Sequence, residues 1–192
     1  FVGGEINGCY NAVDCHVEAG YGNRTAIIYD SAIIGVKEYI SYAELQDRVA
    51  RCADVLLQNG ITYGDRVIIY MPMIPQALVA MLACARIGAV HSVVFGGFAA
   101  AELAKRIDDA TPKMIITASC GLEPGRVVEY KPLIDDAIEL SAHKIDNVLL
   151  YQREMCKAAM IDSRDMDWDD AMAAAGHAAC VPVKSEDPAY IL

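Results

Sequence analysis

The sequence predicts an α/β fold: a largely parallel sheet flanked by helices. Three observations carry this. Two Val/Ile-rich runs, residues 67–70 and 90–95, have the composition of strands buried on both faces. The apolar stretch between them, residues 75–88, is long enough for about four helical turns. From residue 66 the strand–helix unit then repeats three times, as parallel sheets require.

Each element has a local reason. Pro75 suits a first helical turn, where its missing N–H costs nothing, and Gly88 suits the left-handed position just past the end. Residues 7–19, NGCYNAVDCHVEA, read as a short helix with Tyr10, Val13 and Val17 on one face. His16 there has no metal-ligand partner at helical spacing and reads as a packing residue. Residues 25–29 and 36–40 read as strands joined by a turn. Ser41-Tyr42-Ala43-Glu44 is a capping box, and Leu45, Val49, Cys52 and Leu56 follow as one apolar stripe. Gly60 ends that helix. Residues 99–110 form a helix with Leu103 and Ile107 inward, stopped by Pro112. Residues 113–118 are a third parallel strand. Residues 119–127, SCGLEPGRV, read as a loop, and Pro132 opens a helix with Leu133, Ala137 and Leu140 on its apolar positions. Residues 147–151 are a fourth strand. The terminal run DPAYIL is strand-like.

Composition narrows the function classes. The chain has 192 residues, so one domain or a large part of one, and 55% of it is hydrophobic, enough for a sizeable core. The net charge of −10 argues against a nucleic-acid-binding surface. No apolar run is long enough for a membrane span, and the first residues lack the basic and apolar regions of a signal peptide. Phe1 in place of Met leads us to expect a start further upstream. Seven cysteines without a C-x-x-C suggest a reduced compartment rather than a disulfide or zinc framework. Cytoplasm is the expected location, or the mitochondrial matrix behind an upstream transit peptide.

Several chemistries lack their residues. There is no G-x-S-x-G elbow, no Walker A sequence and no G-x-G-x-x-G. Asp165-x-Asp167-x-Asp169 starts like a calcium loop, but Asp170 and Gly176 stand where Gly and Glu are needed. These acids suit the N-terminus of a helix over 169–175 instead. Two loops remain. Phe95-Gly96-Gly97 offers an aromatic face and bare backbone after one strand. Glu123-Pro124-Gly125-Arg126, with Lys131, offers cations after the next. If those strands are neighbours, a nucleotide can lay its base on Phe95 and a phosphate on Arg126. The competing reading pairs Arg126 with a surface carboxylate.

At these residues the chain resembles a known family. GDRVIIYMPMIPQALVAMLACARIGAVHSVVFGGFAAAELAKRIDDATPKMIITAS resembles the AMP-forming short-chain acyl-CoA synthetases, acetyl- and propionyl-CoA synthetase. CYNAVDCHVE and SYAEL match early motifs of that family, and EPGRVVEYKPLID is closer to the propionyl branch. The resemblance implies the N-terminal portion of an acyl-adenylate-forming domain spanning 1–192, without the small C-terminal domain. It implies ATP, coenzyme A, magnesium and a short-chain carboxylate as the parent enzyme's reactants, joined through an acyl-AMP. It also implies that Phe95, Gly96, Gly97 and Arg126 hold the adenine-nucleotide end of coenzyme A. Glu123 departs from the pattern, since many acetyl-CoA synthetases carry a second Arg there; Cys15 likewise replaces a common Arg. The phosphate loop expected after DPAYIL, the acyl pocket and the C-terminal lysine lie outside the chain. It is therefore expected to be an N-terminal fragment, inactive alone. The alternative is a free-standing, non-catalytic α/β binding module, which the coding sequence beyond Leu192 distinguishes.

Overall fold

The computed structural model describes residues 2–192. Along the chain, β1 (Glu5–Ile6) leads into two π-helical turns, Tyr10–Asp14 and Val17–Tyr21. A hairpin of β2 (Thr25–Ser31) and β3 (Val36–Ser41) precedes α1 (Tyr42–Gln58). Then come β4 (Arg66–Met71), α2 (Pro75–Arg86), β5 (Val90–Phe95), α3 (Ala100–Ala110) and β6 (Met114–Ala118). A second hairpin, β7 (Cys120–Glu123) and β8 (Arg126–Glu129), follows directly. The remainder is α4 (Tyr130–Leu140), β9 (Val148–Tyr151), β10 (Asp165–Asp167), α5 (Trp168–Ala174), β11 (Val183–Lys184) and β12 (Tyr190–Ile191).

The central sheet is parallel throughout, in the order β10-β9-β6-β4-β5-β12. Side chains alternate along β4, so each face has its own core. Val67, Ile69 and Met71 join the layer of α1, α2 and α5, whereas Ile68 and Tyr70 join that of α3 and α4. This is the predicted α/β arrangement, with helices on both faces.

Most local expectations hold. Ser41 Oγ accepts from the Glu44 N–H, and the Glu44 carboxylate accepts from the Ser41 N–H. Leu45, Val49, Cys52 and Leu56 are buried. Gly88 has φ 72°, as the end of α2 requires. His16 packs its ring against Tyr42, 4.8 Å between centroids.

Four expectations need correction. First, β5 and β6 are not neighbours, because β4 pairs with both and lies between them. Second, residues 119–127 are not a loop. Pro124-Gly125, with Gly125 at φ 80°, makes a tight turn between two paired strands. Third, the N-terminal segment is π-helical, and Cys9, Val13 and Asp14 face inward while Tyr10 faces out. The wider i→i+5 turn shifts which residues share a face. Fourth, the inner stripe of α4 is Tyr130, Ile134, Ala137 and Ile138, and Leu140 is exposed. The helix starts two residues earlier than Pro132 suggests, with the Tyr130 ring already inside.

The polar strand β10 was invisible to hydrophobic periodicity. Its Asp165 carboxylate is fully buried between Lys131, 2.9 Å away, and Arg164, 2.8 Å away. Burial pushes the Asp165 pKa up, but hydrogen bonds from Arg164, the Ile161 N–H and Lys131 outweigh it, and the carboxyl titrates below the usual range.

Candidate functional site

Parallel pairing places the carboxyl ends of β4, β5, β6 and β9 along one sheet edge, Met71 opposite Phe95 and Ala118 opposite Tyr151. Ligands of open α/β sheets bind outside this edge. The Phe95 side chain projects there, 71% exposed. Gly97 is exposed and Gly96 is buried. A Cβ on Gly97 would lie 2.9 Å from Phe95 Cε1, so the glycine lets the Phe95 ring fold over its backbone. Phe98 closes the loop, with the Arg106 guanidinium 4.4 Å from its ring centroid.

The second predicted loop arrives by a different route from the one the sequence suggests. Strand adjacency does not bring it. The β7–β8 hairpin rises from the end of β6, and Tyr130, the first residue of α4, donates its N–H to Ser119 O at 3.0 Å. The Tyr130 ring then reaches Gly96 on one side and Gly121 of β7 on the other. Gly96 is thus bare to admit a tyrosine, whereas the sequence reading had kept its backbone for a ligand. Neither Tyr130 nor Gly121 carries a sequence signal for this role.

Arg126 stands at the hairpin tip, its side chain 69% exposed. Its Nη2 lies 2.6 Å and its Nε 2.7 Å from Glu123 Oε2 across the turn. The predicted surface-carboxylate pairing is therefore present. An exposed pair of this kind contributes only about 0–1 kcal/mol, against roughly 1.5–3 for a charge-assisted contact to a phosphate. The guanidinium is therefore only weakly held by Glu123.

Lys131 does not reach this surface. Its ammonium is buried between Asp135 and Asp165, at 2.7 and 2.9 Å. His91 lines an apolar recess with Met71, Met73, Leu78 and Tyr190. Burial lowers its pKa, and its Nδ1 has no hydrogen-bond partner. Among the described residues, no side-chain hydrogen bond links it to a Ser or Cys nucleophile.

Only Cys9, Asp14 and Cys180, among the described residues, bring three metal-type ligand atoms together, within 4.8 Å. Arg86 already occupies that cluster, its Nη1 2.8 Å from Asp14 Oδ2 and 3.4 Å from Cys9 Sγ. Burial chiefly, with Cys9 and Asp14 adding to it, pushes the Cys180 thiol up to about 12 against the downward pull of the Arg86 charge. Magnesium requires hard oxygen ligands, so this cluster does not fit it and no residue here is assigned to it.

Comparisons with known proteins agree with this architecture. A family model described as AMP-binding enzyme matches residues 16–192. An uncharacterized Pseudomonas aeruginosa protein is 56% identical over 192 residues, covering 100% of this chain and 31% of that protein. Rattus norvegicus acyl-CoA synthetase short-chain family member 3, mitochondrial, is 54% identical over the whole chain, which covers 28% of it. Rhodopirellula baltica acetyl-coenzyme A synthetase is 45% identical, with 29% covered. A crystal structure of Brucella canis acyl-CoA synthetase shares the fold at TM-score 0.78 and 22% identity, covering 97% of this chain and 31% of that one. The chain thus spans under a third of the length of these relatives. The fold, the sheet-edge loops and the matched sequence lead to one conclusion: this chain belongs to the AMP-binding enzyme family.

Proposed function

We propose that this chain is the opening part of an AMP-forming ligase that joins a short-chain carboxylate, propionate or acetate, to coenzyme A. In the first half-reaction the carboxylate attacks ATP, forming acyl-AMP and releasing pyrophosphate. In the second, the coenzyme A thiol displaces AMP from the acyl carbon. The similarity to enzymes named acyl-CoA and acetyl-coenzyme A synthetases supports this reading. The mammalian relatives' names say mitochondrial, so a mitochondrial location stands beside the cytoplasmic one for this protein.

Within that reaction, this chain's residues bind and orient coenzyme A. The Phe95 ring takes the adenine face, the exposed Gly97 backbone admits the nucleotide, and Gly96 sets the loop's path. Arg126 takes the ribose phosphate. The observation that carries this is an exposed aromatic ring and an exposed guanidinium, on two segments joined by one tyrosine, at the ligand edge of a parallel sheet. The chain's net charge of −10 repels anions in general, so the local cation decides where the phosphate sits.

The test separates the half-reactions in the full-length ligase. Arg126→Ala should raise KM for coenzyme A about ten- to a hundredfold, the equivalent of roughly 1.5–3 kcal/mol, and spare ATP–pyrophosphate exchange. Dephospho-coenzyme A should show a much smaller change, because it lacks the phosphate. Exchange falling as far as thioester formation, in a folded variant, would refute the assignment.

A further inference from the structure

Tyr130 sits where the two proposed ligand loops meet. An ideal Cβ on Gly96 would lie 2.1 Å from the Tyr130 hydroxyl oxygen and 2.4 Å from Cζ. On Gly121 the same distances are 2.1 and 2.5 Å. One phenol therefore requires both glycines, one on each loop. Gly96 and Gly121 are both buried, and neither has a positive φ, so backbone conformation does not demand glycine at either position. What demands it is the ring between them. Tyr70 supports the arrangement from the sheet. Its ring centroid lies 5.0 Å from that of Tyr130, and its hydroxyl donates to Phe98 O at 2.9 Å.

The consequence concerns geometry across a gap. β5 and β6 are separated by β4, so no strand pairing fixes the Phe95–Phe98 loop relative to the Arg126 hairpin. Tyr130 touches both.

We propose that Tyr130 is a positioning residue, wedged between Gly96 and Gly121, that holds the Phe95 face and the Arg126 guanidinium at one spacing for the two ends of the coenzyme A nucleotide. This rests on the coenzyme A reading above and adds to it the element that makes the two loops one surface. Tyr130 itself touches no reacting atom.

The experiment is a mutant cycle in the full-length ligase, with KM for coenzyme A, kcat and ATP–pyrophosphate exchange measured for each variant. Tyr130→Leu should raise KM for coenzyme A roughly tenfold or more, as a misplaced contact does. Tyr130→Phe, which keeps the ring, should raise it less. In the Tyr130→Leu background, Arg126→Ala should add much less than it costs alone, because the guanidinium is already misplaced. Gly121→Ala keeps Tyr130 but forces its ring aside, and covers the case in which Tyr130→Leu fails to fold. It should raise KM for coenzyme A in the same way. Combined with Tyr130→Leu, it should add little, since the ring it displaces is gone.

Two results overturn the proposal alone: Arg126→Ala raises KM while the Tyr130 and Gly121 variants leave it unchanged, or the cycle is additive. A parallel fall of exchange and thioester formation in the Tyr130 variants also overturns it, since that marks general structural support. Arg126→Ala leaving KM for coenzyme A unchanged removes the underlying reading, and with it this one.

Discussion

Replacing Arg86 with Met should remove much of the protein's stability, and acid should restore part of the difference. Arg86 closes α2, its side chain 7% exposed. Its guanidinium donates to both Asp14 oxygens, at 2.8 and 2.9 Å, and to Ala178 O at 2.7 Å. It thereby ties the N-terminal π-helical turns and the C-terminal segment to the central layer. Burial lowers the arginine's pKa, but the Asp14 hydrogen bond outweighs it and holds the group charged. Burial likewise raises the Asp14 carboxyl, and the hydrogen bonds from Arg86 and Gln46 outweigh it, leaving a net downward shift. Methionine fills similar volume but leaves Asp14 buried with Gln46 as its remaining side-chain amide donor, 2.9 Å away. Removing one member of such a pair costs about 3–5 kcal/mol. The sign with pH follows from the shifts. With Arg86 present, the lowered Asp14 pKa contributes stability above the unfolded value of about 4, lost as pH falls through the folded value. Without Arg86, burial, the largest effect on Asp14, is opposed mainly by the Gln46 hydrogen bond, so the ionised carboxylate costs more than in the wild type and protonation relieves part of that cost. Urea melts near neutral pH and near pH ~4 should show the wild-type advantage shrinking on acidification. A deficit below about 1 kcal/mol near neutrality, in the range of exposed pairs, would refute the reasoning. So would a deficit that does not change with pH.

Two further outcomes are expected. Leu56→Ala should cost about 2–5 kcal/mol, because Leu56 is fully buried beneath the sheet; a loss under roughly half a kcal/mol in denaturant melts would place that stripe at the surface. A polypeptide of residues 1–192 alone should give no propionate- or acetate-driven ATP–pyrophosphate exchange, since it matches only 28–31% of the length of its relatives; turnover above background would show that the adenylation site is complete within it.

What the sequence determined lies where information is local. A capping box needs only four residues, Ser41 to Glu44, and the hydrogen bonds it implies are the ones observed. Runs such as Arg66–Met71 and Val90–Phe95 are apolar enough that burial on both faces follows, and the repeating strand–helix unit makes the sheet parallel. The family motifs are contiguous too, so Phe95, Gly96, Gly97 and Arg126 could be named as site candidates from the chain alone.

What the tertiary structure decided depends on residues far apart in sequence. Strand order is one case. The sequence shows β4, β5 and β6 in succession, but not that β4 sits in the middle, because pairing energy depends on neighbours the chain order does not name. Buried charge is another. In sequence Lys131 reads as part of the ligand loop and Asp165 as an acid at a helix N-terminus, but their burial, like that of Asp14 and Arg86, depends on partners up to 72 positions away, because a charge is buried only when paired. The site shows the same division. A glycine in sequence states only that a side chain is missing. Which group fills the space at Gly96, a ligand or the Tyr130 ring, is decided by the fold, because only packing brings residue 130 against residues 96 and 121.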